Sequence, residues 1–134
     1  MTDTLVAFLK ARLDDDERAA TAPASAVWAS PEWRFTEGDD GPFVDLGTTH
    51  LTEESGLNVA ELEHIAHHAP ARILREVAAK RQLINDYEES AADLDAQDAP
   101  DRDWVGRLDG LEAALRHLAT AYADHPDHLE EWRP

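Results

Sequence analysis

Apolar residues along this chain keep a helical period nearly everywhere and abandon it once. Trp104, Leu108, Leu111, Leu115, Leu118 and Tyr122 recur at spacings of four and three, a narrow stripe that a helix turns to one side. The same spacing predicts helices over 3–20 (Leu5, Phe8, Leu9, Leu13), 58–68 (Val59, Leu62, Ile65, Ala66) and 70–89 (Ile73, Leu74, Val77, Ile84, Tyr87), beside the one over 102–122. Their starts are punctuated. Thr2 or Asp3 and Asp101 or Asp103 are N-caps, and Asn58 with Glu61 three residues on is a capping box. Pro70 suits the first turn of a new helix, where its missing N–H costs nothing. The period changes between 32 and 47. Trp33, Phe35, Phe43, Val44 and Leu46 flank Glu37-Gly38-Asp39-Asp40-Gly41-Pro42, which reads as a hairpin of about 32–36 and 42–47. Trp28 reads as the start of a short preceding strand. A ribbon this short needs helices over one face. The expected fold is therefore α+β, about four helices packed on a small antiparallel β-hairpin in a single compact domain of residues 1–134. Residues 21–31 form an Ala/Ser/Pro-rich linker and 123–134 a tail that docks through Trp132.

Charge narrows the function classes. Asp and Glu number 29 against 12 Lys and Arg, a net charge of −17. Acids outnumber bases in every third of the chain, so the excess belongs to the surface of a folded domain rather than to a tail. It excludes direct binding to nucleic-acid phosphates and to anionic membranes. The absence of cysteine removes disulfides, thiolate metal sites and a Cys nucleophile. No apolar run approaches the ~20 residues of a membrane span, and Met-Thr-Asp-Thr lacks the basic start of a secretory signal. Two acidic places stand out. Asp14, Asp15, Asp16 and Glu17 crowd the C-terminal half of the first helix, where the macrodipole disfavours anions. They read either as a frayed, solvated helix end or, with Asp39 and Asp40 of the hairpin turn, as a patch for a basic partner. The basic exception is Arg72, Arg75, Lys80 and Arg81. Lys80 falls in the apolar arc of its helix, four residues after Glu76, the favoured order for an ion pair.

No catalytic constellation is evident. There is no Walker loop, Gly-rich dinucleotide fingerprint or G-x-S-x-G elbow. His64 and His68, four residues apart on the face opposite the apolar arc, have the spacing at which two imidazoles hold one divalent metal. Glu61 lies a turn earlier, and Asp124, His125 or His128 could add a ligand, giving His64, His68 and His125 as the candidate set, with zinc or another divalent ion. Ile65 stands where a zinc protease has Glu. The alternative is a solvated polar stripe in which His68 satisfies the end of its helix. The aromatic residues are expected to build the core, with an exposed Trp of the ribbon as the alternative, an interface anchor. Gly106 and Gly110 lower the propensity of the last helix and suggest close packing against it.

The segments His64-Ile65-Ala66-His67-His68-Ala69-Pro70-Ala71-Arg72 and Tyr122-Ala123-Asp124-His125-Pro126-Asp127-His128, with the helix-one run Leu13–Glu17, resemble a family of small uncharacterised actinobacterial and actinophage proteins, a domain of unknown function. The family pattern is His-Ile-Ala-x-His-Asp-Pro-Ala-Arg, and this chain carries Ala69 where the family has Asp. The resemblance implies a cytoplasmic bacterial or phage setting and brings no activity with it. The first expectation is a non-enzymatic protein-interaction or regulatory protein with no cofactor, acting on a partner with a basic surface, in the manner of a phage-encoded mimic of nucleic acid. The alternative is a metal-binding protein, a hydrolase in its catalytic form. The third is a homo-oligomer joined through the Trp104–Tyr122 stripe or the ribbon.

Overall fold

A computed structural model describes residues 2–134. In chain order the elements are α1 (Thr2–Ala24), β1 (Arg34–Gly38), β2 (Gly41–Asp45), β3 (His50–Thr52), α2 (Val59–His67), α3 (Pro70–Asp95) and α4 (Arg102–Thr120). Single 3-10 turns occupy Glu53–Ser55 and Glu130–Trp132. The fold is α+β, four helices and a three-stranded antiparallel sheet in the order β1-β2-β3. Two units stand out, residues 2–14 with 78–134, and residues 15–77.

In the 15–77 unit, β1 and β2 pair from Arg34↔Asp45 to Gly38↔Gly41. Asp39 and Asp40 turn the hairpin, and Gly41 follows at φ 110°, the sequence of a type I turn closed by a left-handed glycine. The additional strand is β3, which pairs with β2 from Phe43↔Thr52 to Asp45↔His50. It follows the hairpin rather than preceding it. Trp28 is not in a strand; it lies in a turn. Helix α2 packs on β1 and β2, with Leu62 and Val44 fully buried. Its start is the expected capping box. Asn58 Oδ1 accepts from Glu61 N–H and Glu61 Oε2 accepts from Asn58 N–H, both at 2.8 Å.

In the other unit, Leu5, Phe8, Leu9 and Leu13 of α1 are buried, as are Ile84 and Tyr87 of α3, Leu115 and Ala119 of α4, and Trp132. Each large side chain among them contributes about 1.5–3 kcal/mol by leaving water. Asp101 caps α4, accepting from Asp103 N–H at 2.8 Å.

Several expected boundaries move. Helix α1 continues to Ala24, with Pro23 inside it. Proline there cannot donate to Ala19 O, a loss of one hydrogen bond confined to the final turn, beyond which the helix does not continue. The run Asp14–Glu17 is therefore mid-helix, away from the C-terminal carbonyls, and the clash with the macrodipole does not arise. Helix α3 runs to Asp95, six residues past the expected end, through the helix formers Ala91 and Ala92. A Cβ added at Gly106 or Gly110 meets nothing within 4 Å, so neither glycine serves close packing. Among the described residues no helix is long and apolar enough to cross a membrane.

Candidate functional site

Two carboxylates of α1 are engaged by the protein's own bases. Asp14 Oδ1 accepts from Arg81 at 2.7 Å and Asp15 Oδ1 from Arg18 at 3.1 Å. Asp16 and Glu17 are half-buried and also hold polar partners. The basic cluster is spent in the same way, with Arg72 3.0 Å and Arg75 3.6 Å from the carboxylates of Glu76 and Glu32. Asp39 and Asp40, by contrast, are exposed at the hairpin tip and have no ion pair among the described residues.

The aromatic residues divide. Trp132 is 3% exposed, whereas Val27 and Trp28 are 78% and 85% exposed. Trp28 also has φ 71°, a conformation that a bulky L-residue adopts only when its surroundings impose it. The backbone around it is held. Ala29 N–H donates to Ala26 O at 3.0 Å and Ser30 N–H to Leu46 O at 3.2 Å. The 28–30 backbone lies so close to Gly47 that a Cβ there would sit 2.5 Å from Trp28 O and 2.6 Å from Ser30 N. A short loop fixed at its backbone thus presents two adjacent apolar side chains to water. Glycine at 47 and the hydroxyl of Ser30 were the available signals, but neither identifies its packing partner.

The histidine candidates separate into different settings. His64 and His68 come together, with ring centroids 4.3 Å apart, and His68 Nδ1 lies 2.9 Å from His64 O. A carbonyl only accepts, so Nδ1 carries the proton, and the ring closes the end of α2 as one sequence reading expected. His125 belongs to the other unit. Its Nδ1 accepts from Asp127 N–H at 3.1 Å and lies 2.8 Å from Arg12 Nη1. Among the described residues no three His, Asp or Glu side chains are gathered as a metal site would require.

Both segments that carry the resemblance form joints. Arg72 donates from Nη1 to His67 O and from Nε to Glu76 Oε1, each at 3.0 Å, and Ala71 N–H donates to Pro31 O at 2.9 Å. The corner between α2 and α3 is thereby closed around Pro70. In the tail, His125, His128 and Trp132 surround the Phe8 ring at centroid distances of 5.7, 5.8 and 4.9 Å, and Arg12 lies 5.3 Å from its centroid. A cleft of about 480 Å³ between α1 and α3 is lined by Asp3, Glu88 and Asp95 above Val6 and Tyr87. Lys10 crosses it, 2.7 Å from Glu88.

Fold and surface together define a small acidic α+β protein whose outstanding exposed feature is an aromatic loop. The chain belongs to a family of unknown function (DUF6221), matched over residues 2–134. No curated protein and no solved structure matches it.

Proposed function

We propose that this protein is an acidic interaction module, with regulation of a basic protein partner as its role and the Val27–Trp28 loop as its anchor. The observation that carries the reading is Trp28, 85% exposed on a backbone held in a left-handed conformation. Leaving that much aromatic surface in water, at a strained position, is unfavourable for the isolated chain and useful at an interface. Trp is the residue most enriched at interface hot spots, and its ring face attracts Arg and Lys. The exposed Asp39 and Asp40, with the −17 background, favour a basic surface and repel acidic competitors. A partner that also binds nucleic acid fits this chemistry, in the manner of a phage-encoded mimic, and a cytoplasmic setting in a bacterium is part of the same proposal.

Trp28→Gly and the double variant Asp39→Asn/Asp40→Asn separate the two contributions. The expected result is a basic protein retained by the wild type, retained at least tenfold less by Trp28→Gly, and released as salt rises from 50 to 500 mM, less steeply for the double variant. Equal retention by wild type and Trp28→Gly would refute the anchor. Salt-independent retention would refute the acidic docking.

A further inference from the structure

We propose that His64 and His68 form a two-imidazole site on α2 for an exchangeable divalent transition-metal ion, Zn(II) or, more tightly, Cu(II). The reading is independent of the interaction module. Three features support it. The first is separation. Two imidazoles sharing one ion through metal–N bonds of about 2.0–2.1 Å place their ring centroids about 4.5 Å apart at a right-angled ion and about 5.2 Å apart at a tetrahedral one. From the observed 4.3 Å the pair opens by about 0.2 Å for the first and by about 0.9 Å for the second, within reach of side-chain rotation on an exposed helix face.

The second is protonation. A metal-bound imidazole commonly donates its other N–H to a carbonyl, which fixes tautomer and ring orientation. His68 does this already. Its Nδ1–H donates to His64 O at 2.9 Å, leaving the Nε2 lone pair as the coordinating one. The contact that closes the helix end is thus also the contact that prepares a ligand.

The third is access. Both rings are exposed, and among the described residues no hydrogen bond holds the His64 ring. Three of the other five imidazoles are otherwise occupied; His67 and His117 are exposed, and among the described residues neither ring packs on another imidazole. His50 stacks on Phe43 at 4.6 Å and lies 3.6 Å from Asp45, His125 sits beside the Arg12 cation, and His128 packs against Phe8 and Trp132. Glu61, one turn before His64, is held by Asn58 N–H. The pair therefore supplies two ligands, and water fills the remaining positions. Nitrogen ligands select Zn(II) and Cu(II) over Mg(II) and Ca(II), which take oxygen, and Cu(II) binds more tightly than Zn(II).

The test uses tag-free full-length protein with ZnCl₂ in calorimetry and substoichiometric CuSO₄ in NMR. The expected results are one saturable equivalent of Zn(II), an affinity at least tenfold lower in His64→Ala and in His68→Ala, and an unchanged affinity in His50→Ala and His117→Ala. Circular dichroism checks that the variants retain their helices. In the wild type, Cu(II) broadens the His64 and His68 ring signals first, a readout that needs no variant to fold. Broadening centred on His50, His125 or the carboxylates, an affinity indifferent to both α2 variants, or no saturable Zn(II) binding below 1 mM would overturn the proposal.

Discussion

Gly47 and Gly56 form a natural pair for testing the loop that presents Trp28. Both belong to the 15–77 unit, and both have left-handed backbones, at φ 83° and 86°. Alanine at either position meets the same conformational penalty of about 1–2 kcal/mol, partly offset by a stiffer unfolded chain, worth about 0.4–1 kcal/mol. Their surroundings differ completely. A Cβ at Gly56 meets nothing within 4 Å, whereas one at Gly47 lies 2.5 Å from Trp28 O and 2.6 Å from Ser30 N. Ordinary contact requires the 28–30 backbone to retreat by nearly 1 Å. That costs about 1–3 kcal/mol as overpacking and weakens the 3.2 Å Ser30–Leu46 bond, worth about 1 kcal/mol. Gly56→Ala is therefore expected to cost about 1 kcal/mol and Gly47→Ala about 3 kcal/mol. In urea, with a slope of about 1.5 kcal/mol/M, the two midpoints separate by about 1.3 M. Gly47→Ala should also weaken partner retention, although it leaves the Trp28 side chain in place. Midpoints within about 0.3 M of each other would refute the close approach, and with it the fixed presentation of Trp28.

Other consequences follow from the same geometry. Gly106→Ala and Gly110→Ala together should stabilise α4 by about 1–2 kcal/mol, raising the calorimetric Tm by about 4–7 °C for a chain of this size; a fall would mean that this face is packed. Trp132→Ala should cost about 3–5 kcal/mol by emptying the pocket over Phe8, with loss of tail protection in hydrogen exchange. Arg81→Ala should change stability by less than about 1 kcal/mol, because its pair with Asp14 is solvated. Asn58→Ala should cost about 1 kcal/mol in urea unfolding through the lost capping box.

Local chemistry made much of the fold legible. The apolar spacing located all four helices, and Asn58, Pro70 and Asp101 marked starts that the structure shows, because caps and proline act within one turn of chain. Boundaries failed where composition was ambiguous. Ala-Thr-Ala-Pro-Ala reads as linker or as a helix end, and neighbours decide between them. β3 is not legible in the sequence because three residues carry no period; it exists because β2 offers Val44 and its flanks an open edge. The pairing of His64 with His68 was visible as i, i+4 spacing, and the Nδ1 bond that orients His68 was not.

The aromatic residues show most directly where sequence stops. Trp28 and Trp132 are the same residue type, and hydrophobicity assigns both to a core. Trp132 ends a tail that closes over Phe8, while Trp28 stands on a loop whose backbone is pressed against Gly47. The acidic run of α1 divides in the same way. Its charge was plain from composition, yet Asp14 meets Arg81 across 67 residues of chain, so the run contributes less free charge than its length suggests. Periodicity, caps and net charge are properties of neighbours in sequence and were determined by the sequence alone. Which aromatic is buried, which carboxylate is neutralised and which imidazole keeps a lone pair depend on groups brought together from distant positions, and only the tertiary structure decided them.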